Sequence, residues 1–215
     1  MHVMITGANR GIGRELASSY AAAGAKVTAT ARRPKGAEVA LDVTDLASVQ
    51  KCAAGLAGEP VDLLVCNAGV YLDKGHRIGA GYGPEIWADT FATNVTGVYL
   101  TIEAMLKSLR AARNPKIAII SSVMASSENA AGGSYVYRAS KAAALNLGRN
   151  LARDLAADGI AVGIYHPGWV RTDMGGDMAS VDVASAARGL RARFDALSIQ
   201  TTGVFEAYDG TAMRY

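Results

Sequence analysis

Short apolar runs alternate along this chain with longer segments in which apolar residues recur at helical spacing. The apolar runs predict strands at 2–6, 26–31, 38–41, 61–66, 116–121, 160–165 and 203–208. The amphipathic segments predict helices at 12–23, 45–57, 84–112, 135–157 and 182–197. Since the strands are apolar on both faces and helices separate most of them, the pattern indicates an α/β fold, a doubly wound parallel sheet with helices on both faces.

Length and composition agree with one folded unit of this kind. The chain has 215 residues, of which 50% are hydrophobic and 19% charged. A chain of this length buries about 70% of its unfolded surface. Neither a linker nor a low-complexity tract interrupts the alternating pattern. We therefore expect a single domain over residues 1–215.

Charge and cysteine content argue against several classes of partner. The 22 basic and 19 acidic residues give a net charge of +3 and are mixed along the chain, which does not predict a nucleic-acid surface. Cys52 and Cys66 have no histidine at zinc spacing, so we expect two buried free thiols in a reducing compartment and no metal site. The N-terminus does not resemble a signal peptide, and no apolar run approaches about 18 residues. We expect a cytoplasmic protein with no membrane partner.

The stretch TGANRGIG (6–13) joins the first predicted strand to the first predicted helix. Its glycines let the backbone approach a ligand closely, and a helix N-terminus attracts anions, so the turn is a candidate pyrophosphate site. A purely structural turn is the alternative. The turn lacks the Gly-Lys-Ser/Thr ending of an NTP-hydrolysing loop.

The stretch SYVYRASKAA (134–143) places Tyr137 four residues before Lys141 on a predicted helix. The two side chains share a helix face, whereas Tyr135 points elsewhere. An ammonium beside a phenol favours the phenolate, so we expect the Tyr137 pKa to fall from about 10 toward neutrality. Such a group suits general acid/base work on a hydroxyl or carbonyl. Chance supplies about 0.3 such pairs in this composition, so the pair alone is weak evidence.

Several motifs occur together in one order along the chain. They are T-G-x-x-x-G-x-G at 6–13, NAG at 67–69, Asn94, a serine after the fifth strand, Tyr137-x-x-x-Lys141 and PGWVRT at 167–172. In this order the chain resembles the short-chain dehydrogenase/reductase family. The stretches HPGWVRTDMGG and FEAYDG are also similar to the small carbonyl-reductase and C-factor-like members.

This resemblance implies a catalytic tetrad of Asn94, Ser122, Tyr137 and Lys141. Tyr137 is expected to exchange a proton with the substrate oxygen while a hydride moves to or from the nicotinamide. Lys141 is expected to lower the Tyr137 pKa and to hold the nicotinamide ribose. Ser122 is expected to bind the substrate oxygen, and Asn94 to position a water near Lys141. For Asn94, an ordinary helix-interior amide is the alternative.

The resemblance also implies the residues that contact the cofactor. They are Gly7, Asn9, Arg10, Gly11, Ile12, Gly13, Arg32, Arg33, Asp42, Val43, Asn67, Ala68, Gly69, Tyr137, Lys141, Pro167, Gly168, Val170 and Thr172. Asp42 is expected to hold the adenine and Val43 to pack on its ring. Thr44 is alternatively the N-cap of the next helix.

The region after the second strand predicts which dinucleotide binds. An NAD-preferring protein of this fold places an acid about 20 residues after the glycine turn, to bond the ribose 2′-hydroxyl. In the stretch KVTATARRPKGAE (26–38) no acid appears before Glu38, and Arg32 and Arg33 stand where the acid would be, with Arg10 in the turn itself. Guanidinium groups match the 2′-phosphate of NADP, so we expect NADP in preference to NAD. A solvated basic loop is the alternative, above all for Arg33.

The sequence thus predicts an NADP(H)-dependent oxidoreductase that interconverts an alcohol and a carbonyl on a small-molecule substrate that it does not identify. The alternatives are a catalytically idle nucleotide-binding regulatory protein and an S-adenosylmethionine-dependent methyltransferase. Alanine and leucine cover more than one face of the helices at 84–112 and 135–157. We therefore expect these helices to form a homodimer or homotetramer.

Overall fold

A computed structural model describes residues 1–56 and 58–215 of the chain. These residues contain one sheet of seven strands, in the order β3-β2-β1-β4-β5-β6-β7, and all neighbours pair in parallel. The strands are β1 (His2–Ile5), β2 (Lys26–Ala31), β3 (Val39–Ala40), β4 (Leu63–Cys66), β5 (Lys116–Ile120), β6 (Ala161–His166) and β7 (Phe205–Ala207). The predicted doubly wound α/β fold is confirmed.

The helices are α1 (Gly11–Ala22), α2 (Leu46–Gly55), α3 (Pro84–Phe91), α4 (Gly97–Arg110), α5 (Tyr135–Asp154) and α6 (Val183–Ala196). The predicted helix at 84–112 is divided, because a π-helical turn at Ala92–Thr96 separates α3 from α4. A 3₁₀ turn continues α5 to Asp158. The predicted end of α2 at Ala57 lies outside the described residues.

Two apolar cores lie on opposite faces of the sheet, and successive residues of a strand pack into one core and then the other. In β1, Val3 and Ile5 pack in the core that includes residues of α1 and α6, whereas Met4 packs in the core that includes residues of α2 and α4. Because both faces are covered, the strand ends are the part of the sheet left open to a ligand.

The strand order reverses beside β1, which lies between β2 and β4. Hydrogen bonds join the ends of β1 and β4 at this point. The Thr6 hydroxyl accepts from the Asn67 and Ala68 backbone N–H groups, each at 3.0 Å, and the Asn67 amide donates to Thr6 O at 2.9 Å and to Gly7 O at 3.1 Å. A crevice at such a reversal is where ligands bind in open α/β sheets.

Candidate active site

The glycine turn TGANRGIG (6–13) follows β1, where the strand order reverses, and it is packed too closely for side chains on its glycines. Gly7 and Gly11 have φ of 64° and 53°, in the left-handed region that favours glycine. A Cβ on Gly7 would lie 2.9 Å from Ala68 Cα, and a Cβ on Gly13 would lie 2.5 Å from Gly7 O. Glycine is therefore required for both the conformation of the turn and its contact with the NAG stretch.

The N-terminus of α1 leads out of this turn. Its N-cap residue, Arg10, has extended backbone and no side-chain cap hydrogen bond, and the first turn contains no acid. Helix N-termini of this kind attract anions because their first N–H groups lack partners within the helix. Gly11 also faces Thr172, whose Cγ2 would lie 3.4 Å from a Cβ on Gly11. The turn and the PGWVRT stretch, far apart in sequence, thus meet here.

Tyr137 lies in the first turn of α5, and its side chain is 8% exposed. Tyr135, by contrast, is 39% exposed and makes an edge contact with the Tyr82 ring. Lys141 is buried one turn further along, with its Nζ 5.7 Å from the centre of the Tyr137 ring. The helix therefore separates the two tyrosines as their spacing predicts.

The expected fall of the Tyr137 pKa is wrong for this structure. The pKa of Tyr137 is raised to about 12, chiefly by burial and also by the nearby Tyr71 and Asp73, while the Ser122 side chain opposes the rise. Lys141 does not reach the phenol, because its ammonium donates to Ile120 O at 2.9 Å. Burial also lowers the pKa of Lys141 to about 8. Desolvation is thus the largest cause of both pKa shifts.

Asn94 lies in the π-helical turn, an irregularity often found at functional sites. Its Oδ1 accepts from Val70 N at 2.9 Å, and its Nδ2 donates to Val70 O at 2.9 Å and to the Ser140 hydroxyl at 3.0 Å. Ser140 in turn donates to Tyr137 O. Asn94 thus ties the chain after β4 to the helix that carries Tyr137 and Lys141. Gly69 lies against the side chains of both Asn94 and Lys141, since a Cβ on Gly69 would be 3.3 Å from Asn94 Oδ1 and 3.6 Å from Lys141 Nζ.

The two serines after β5 have different contacts. Ser122 is the N-cap of a 3₁₀ turn, where its hydroxyl accepts from Met124 N at 3.1 Å. An accepting hydroxyl keeps its own proton for another partner. Ser121 instead donates to Lys141 O at 3.0 Å, so it anchors α5 to the sheet.

The segment after β3 holds the residues predicted beside the adenine. Thr44 donates to the Asp42 carboxylate from its backbone N–H at 3.0 Å and from its hydroxyl at 2.7 Å. The Asp42 pKa is lowered overall. Burial acts to raise it, but the two bonds from Thr44 and the positive charge of Arg32 together outweigh burial. Val43 is buried and packs closely against Gly97, because a Cβ on Gly97 would lie 2.8 Å from Val43 Cγ2. Thr44 is not the N-cap of α2, because Asp45 accepts the capping bond from Ala47 N.

The predicted basic residues are exposed, in the glycine turn and after β2. Arg32 and Arg33 are exposed and directly follow β2. Arg10 is exposed and pairs with Asp173 at 2.5 Å. After β6, Gly168 has φ of 87° and Val170 is buried, while the Thr172 hydroxyl accepts from Gly175 N at 3.1 Å. The remaining predicted contacts lie in the glycine turn (Asn9, Ile12) and at the end of β6 (Pro167).

The sequence did not single out Tyr71 and Asp73. The Tyr71 ring stacks on Tyr137 with centres 4.2 Å apart, and its hydroxyl hydrogen bonds to the Ser134 hydroxyl. Asp73 is completely buried and accepts from the backbone of α5. The one signal for Asp73 is that it is the sole acid between Asp62 and Glu85.

These features fit a dinucleotide. The glycine turn has no room for side chains, the α1 N-terminus favours an anion, and Lys141 and Asn94 face the Gly69 backbone beside the phenol. Fold and site together are those of the dinucleotide-binding class of α/β proteins. The profile of the short chain dehydrogenase family matches residues 1–181. The chain belongs to the short-chain dehydrogenase family.

Individual relatives agree with this assignment. The 3-oxoacyl-[acyl-carrier-protein] reductase FabG of Escherichia coli is 35% identical over 185 residues, which are 80% of this chain and 74% of that protein. The C-signal protein of Myxococcus xanthus is 36% identical over 163 residues, or 74% of this chain and 95% of that protein. The NADPH-bound carbonyl reductase from chicken fatty liver superposes with a TM-score of 0.91 and 30% identity, covering 100% of this chain and 98% of that one.

The two cysteines were also predicted from the sequence. Cys52 and Cys66 are both buried and free, as predicted, and burial raises the pKa of each thiol. Within residues 1–56 and 58–215, no group of three or more histidine, cysteine or acidic side chains is placed to hold a metal ion. No helix in that part of the chain has the length and hydrophobicity needed to cross a bilayer.

Proposed function

We propose that this protein is an NADP(H)-dependent oxidoreductase that interconverts an alcohol and a carbonyl on a small molecule, with Asn94, Ser122, Tyr137 and Lys141 as its active residues. The observation that carries the proposal is the arrangement on α5. Tyr137 and Lys141 are buried beside each other at the end of the sheet, next to the glycine-lined crevice. The similarity of the whole chain to the chicken carbonyl reductase, which binds NADPH, supports it.

Tyr137 is the group that donates the proton in the reductive direction. Its raised pKa keeps the phenol protonated at neutral pH, which is the state a proton donor needs. The nicotinamide, when bound, supplies or accepts the hydride. The Ser122 hydroxyl, which accepts from Met124 N and lies against the phenol, donates its own proton to the substrate oxygen beside Tyr137.

Lys141 provides the second proton-active group. Its pKa of about 8 lies close to neutrality, so the ammonium can release and recover a proton near physiological pH. Asn94 holds the chain after β4 against α5 and thereby fixes the backbone at Gly69 next to Lys141. In this scheme Lys141 also binds the nicotinamide ribose.

The crevice residues hold the rest of the cofactor. Gly7, Gly11 and Gly13 admit the pyrophosphate to the N-terminus of α1, and Arg32, with Arg10, binds the 2′-phosphate. Asp42 and Val43 line the adenine side, and Thr172 and Val170 the nicotinamide side. Gly168 and Pro167 shape the loop that carries these two residues.

The test of this function follows NADPH absorbance with a panel of aldehydes, ketones and 3-oxoacyl thioesters. We expect NADPH oxidation with at least one carbonyl. Tight NADPH binding without turnover across the panel would favour an idle regulatory protein. Binding of S-adenosylmethionine in place of NADPH would instead favour a methyltransferase.

The assembly of the chain stays a prediction. We propose a homodimer or homotetramer through α3–α4 and α5, whose outward large aromatic side chains include Trp87, Tyr99 and Tyr135. Buried apolar surface between copies would cover these rings. Light scattering at micromolar concentration tests the proposal, and a stable species at the 22.3 kDa mass of one chain would contradict it.

A further inference from the structure

The catalytic helix begins without a cap of its own. Ser134, the N-cap residue of α5, has φ of 49° and no side-chain capping bond. An N-cap serine normally accepts from the second or third N–H of its helix. Here the Ser134 hydroxyl hydrogen bonds instead to the Tyr71 hydroxyl. The N–H groups of Val136 and Tyr137 therefore need an acceptor from elsewhere in the chain.

Asp73, in the loop after β4, supplies that acceptor. Its Oδ2 accepts from Val136 N at 2.8 Å, and its Oδ1 accepts from Tyr137 N at 3.2 Å. The carboxylate is 0% exposed, and no cation in the described part of the chain forms an ion pair with it. A buried charge is costly unless it is hydrogen bonded, and the positive end of a 20-residue helix compensates it. The same bonds fix the backbone that carries the Tyr137 side chain.

We infer that Asp73 is a positioning residue for the reaction, which holds Tyr137 in place by capping α5 from outside the helix, while Tyr71 holds the phenol ring by stacking. The inference rests on the proposed function, because Asp73 acts through Tyr137. Two contacts from one short segment converge on one residue: the carboxylate on the Tyr137 backbone and the Tyr71 ring on the Tyr137 side chain, with centres 4.2 Å apart. Any shift of this segment therefore moves the phenol.

The test compares Asp73→Ala with Asp73→Asn. Alanine removes the acceptor, so we expect kcat to fall roughly 10- to 100-fold, the scale of a misplaced reacting group, with little change in the NADPH Kd. Asparagine keeps one acceptor oxygen and should recover most of kcat. Asp45→Ala is the matched control, because it removes the N-cap of α2 and should leave kcat at saturating cofactor nearly unchanged.

The pH profile of kcat for reduction reports the effect of the Asp73 charge on the phenol. The groups that face the phenol are Tyr71, Asp73, Ser122 and Lys141. The Asp73 charge raises the Tyr137 pKa, so its removal in Asp73→Asn lowers that pKa. Because the protonated phenol is the donor, the decline of kcat at high pH should begin at lower pH in this variant.

Amide hydrogen exchange tests the cap without any activity. We expect the Val136 and Tyr137 amides to be protected in the wild type, to exchange faster in Asp73→Ala and to remain largely protected in Asp73→Asn. Folded Asp73→Ala with wild-type protection and kcat would overturn the inference. If the wild type reduces no carbonyl, the proposed function fails, whereas the exchange result still decides whether Asp73 holds this backbone.

Discussion

Replacement of Tyr137 by phenylalanine is expected to lower kcat by roughly 10²-fold or more, the scale of a lost general acid. The substitution removes only the hydroxyl. Its ring keeps the stacking contact with Tyr71, and the backbone keeps its bonds to Asp73. The fold and the NADPH affinity should therefore survive. Steady-state kinetics with a carbonyl substrate, together with an NADPH titration by fluorescence, measure both effects.

Tyr135→Phe is the matched control, since it removes the same hydroxyl from the same turn of α5. The Tyr135 ring is exposed and makes an edge contact with Tyr82, which phenylalanine retains. This variant should keep most of its activity. Comparable losses of kcat in the two variants would mean that Tyr137 is not the unique proton donor.

Much of the fold could be predicted from the sequence because burial imposes it on the residue pattern. Strands buried on both faces must be largely apolar, as β1, β4, β5 and β6 are, and the seven predicted strands are all present. The glycines of the first turn were predictable because left-handed backbone and close packing both exclude larger residues at Gly7. The division between α3 and α4 was not, because the residues from Ala92 to Thr96 contain no proline or other break in the helical pattern.

The electrostatics of the site could not be predicted from spacing. The i, i+4 relation of Tyr137 and Lys141 fixes a shared helix face but not the direction of a flexible ammonium, which bonds to Ile120 O. The spacing also does not reveal how completely the Tyr137 phenol is desolvated, and desolvation decides the sign of its pKa shift. Asp73 was missed for a related reason. Its function depends on a contact across 63 residues of sequence, to Val136.

The second large effect is expected on the choice between NADPH and NADH, through the arginines that follow β2. We expect NADPH to exceed NADH in kcat/KM by about 10- to 150-fold, the equivalent of a charge-assisted bond of ~1.5–3 kcal/mol. Arg32 is exposed directly after β2, and its charge lowers the pKa of Asp42, the residue proposed to hold the adenine. Equal use of both cofactors by the wild type would refute this expectation.

Arg32→Asp is expected to abolish or reverse the preference, because a carboxylate repels the 2′-phosphate of NADP and accepts a hydrogen bond from the 2′-hydroxyl of NAD. Lys35→Asp is the matched control, since it makes the same charge change in the same exposed loop, three residues further on. Arg10 is a less direct test, because Asp173 already pairs with its guanidinium. If both aspartate variants lower kcat/KM for NADPH equally, the loop affects cofactor binding only through its net charge. If Arg32→Asp alone changes the ratio of kcat/KM for the two cofactors, the arginine contacts the phosphate that distinguishes them.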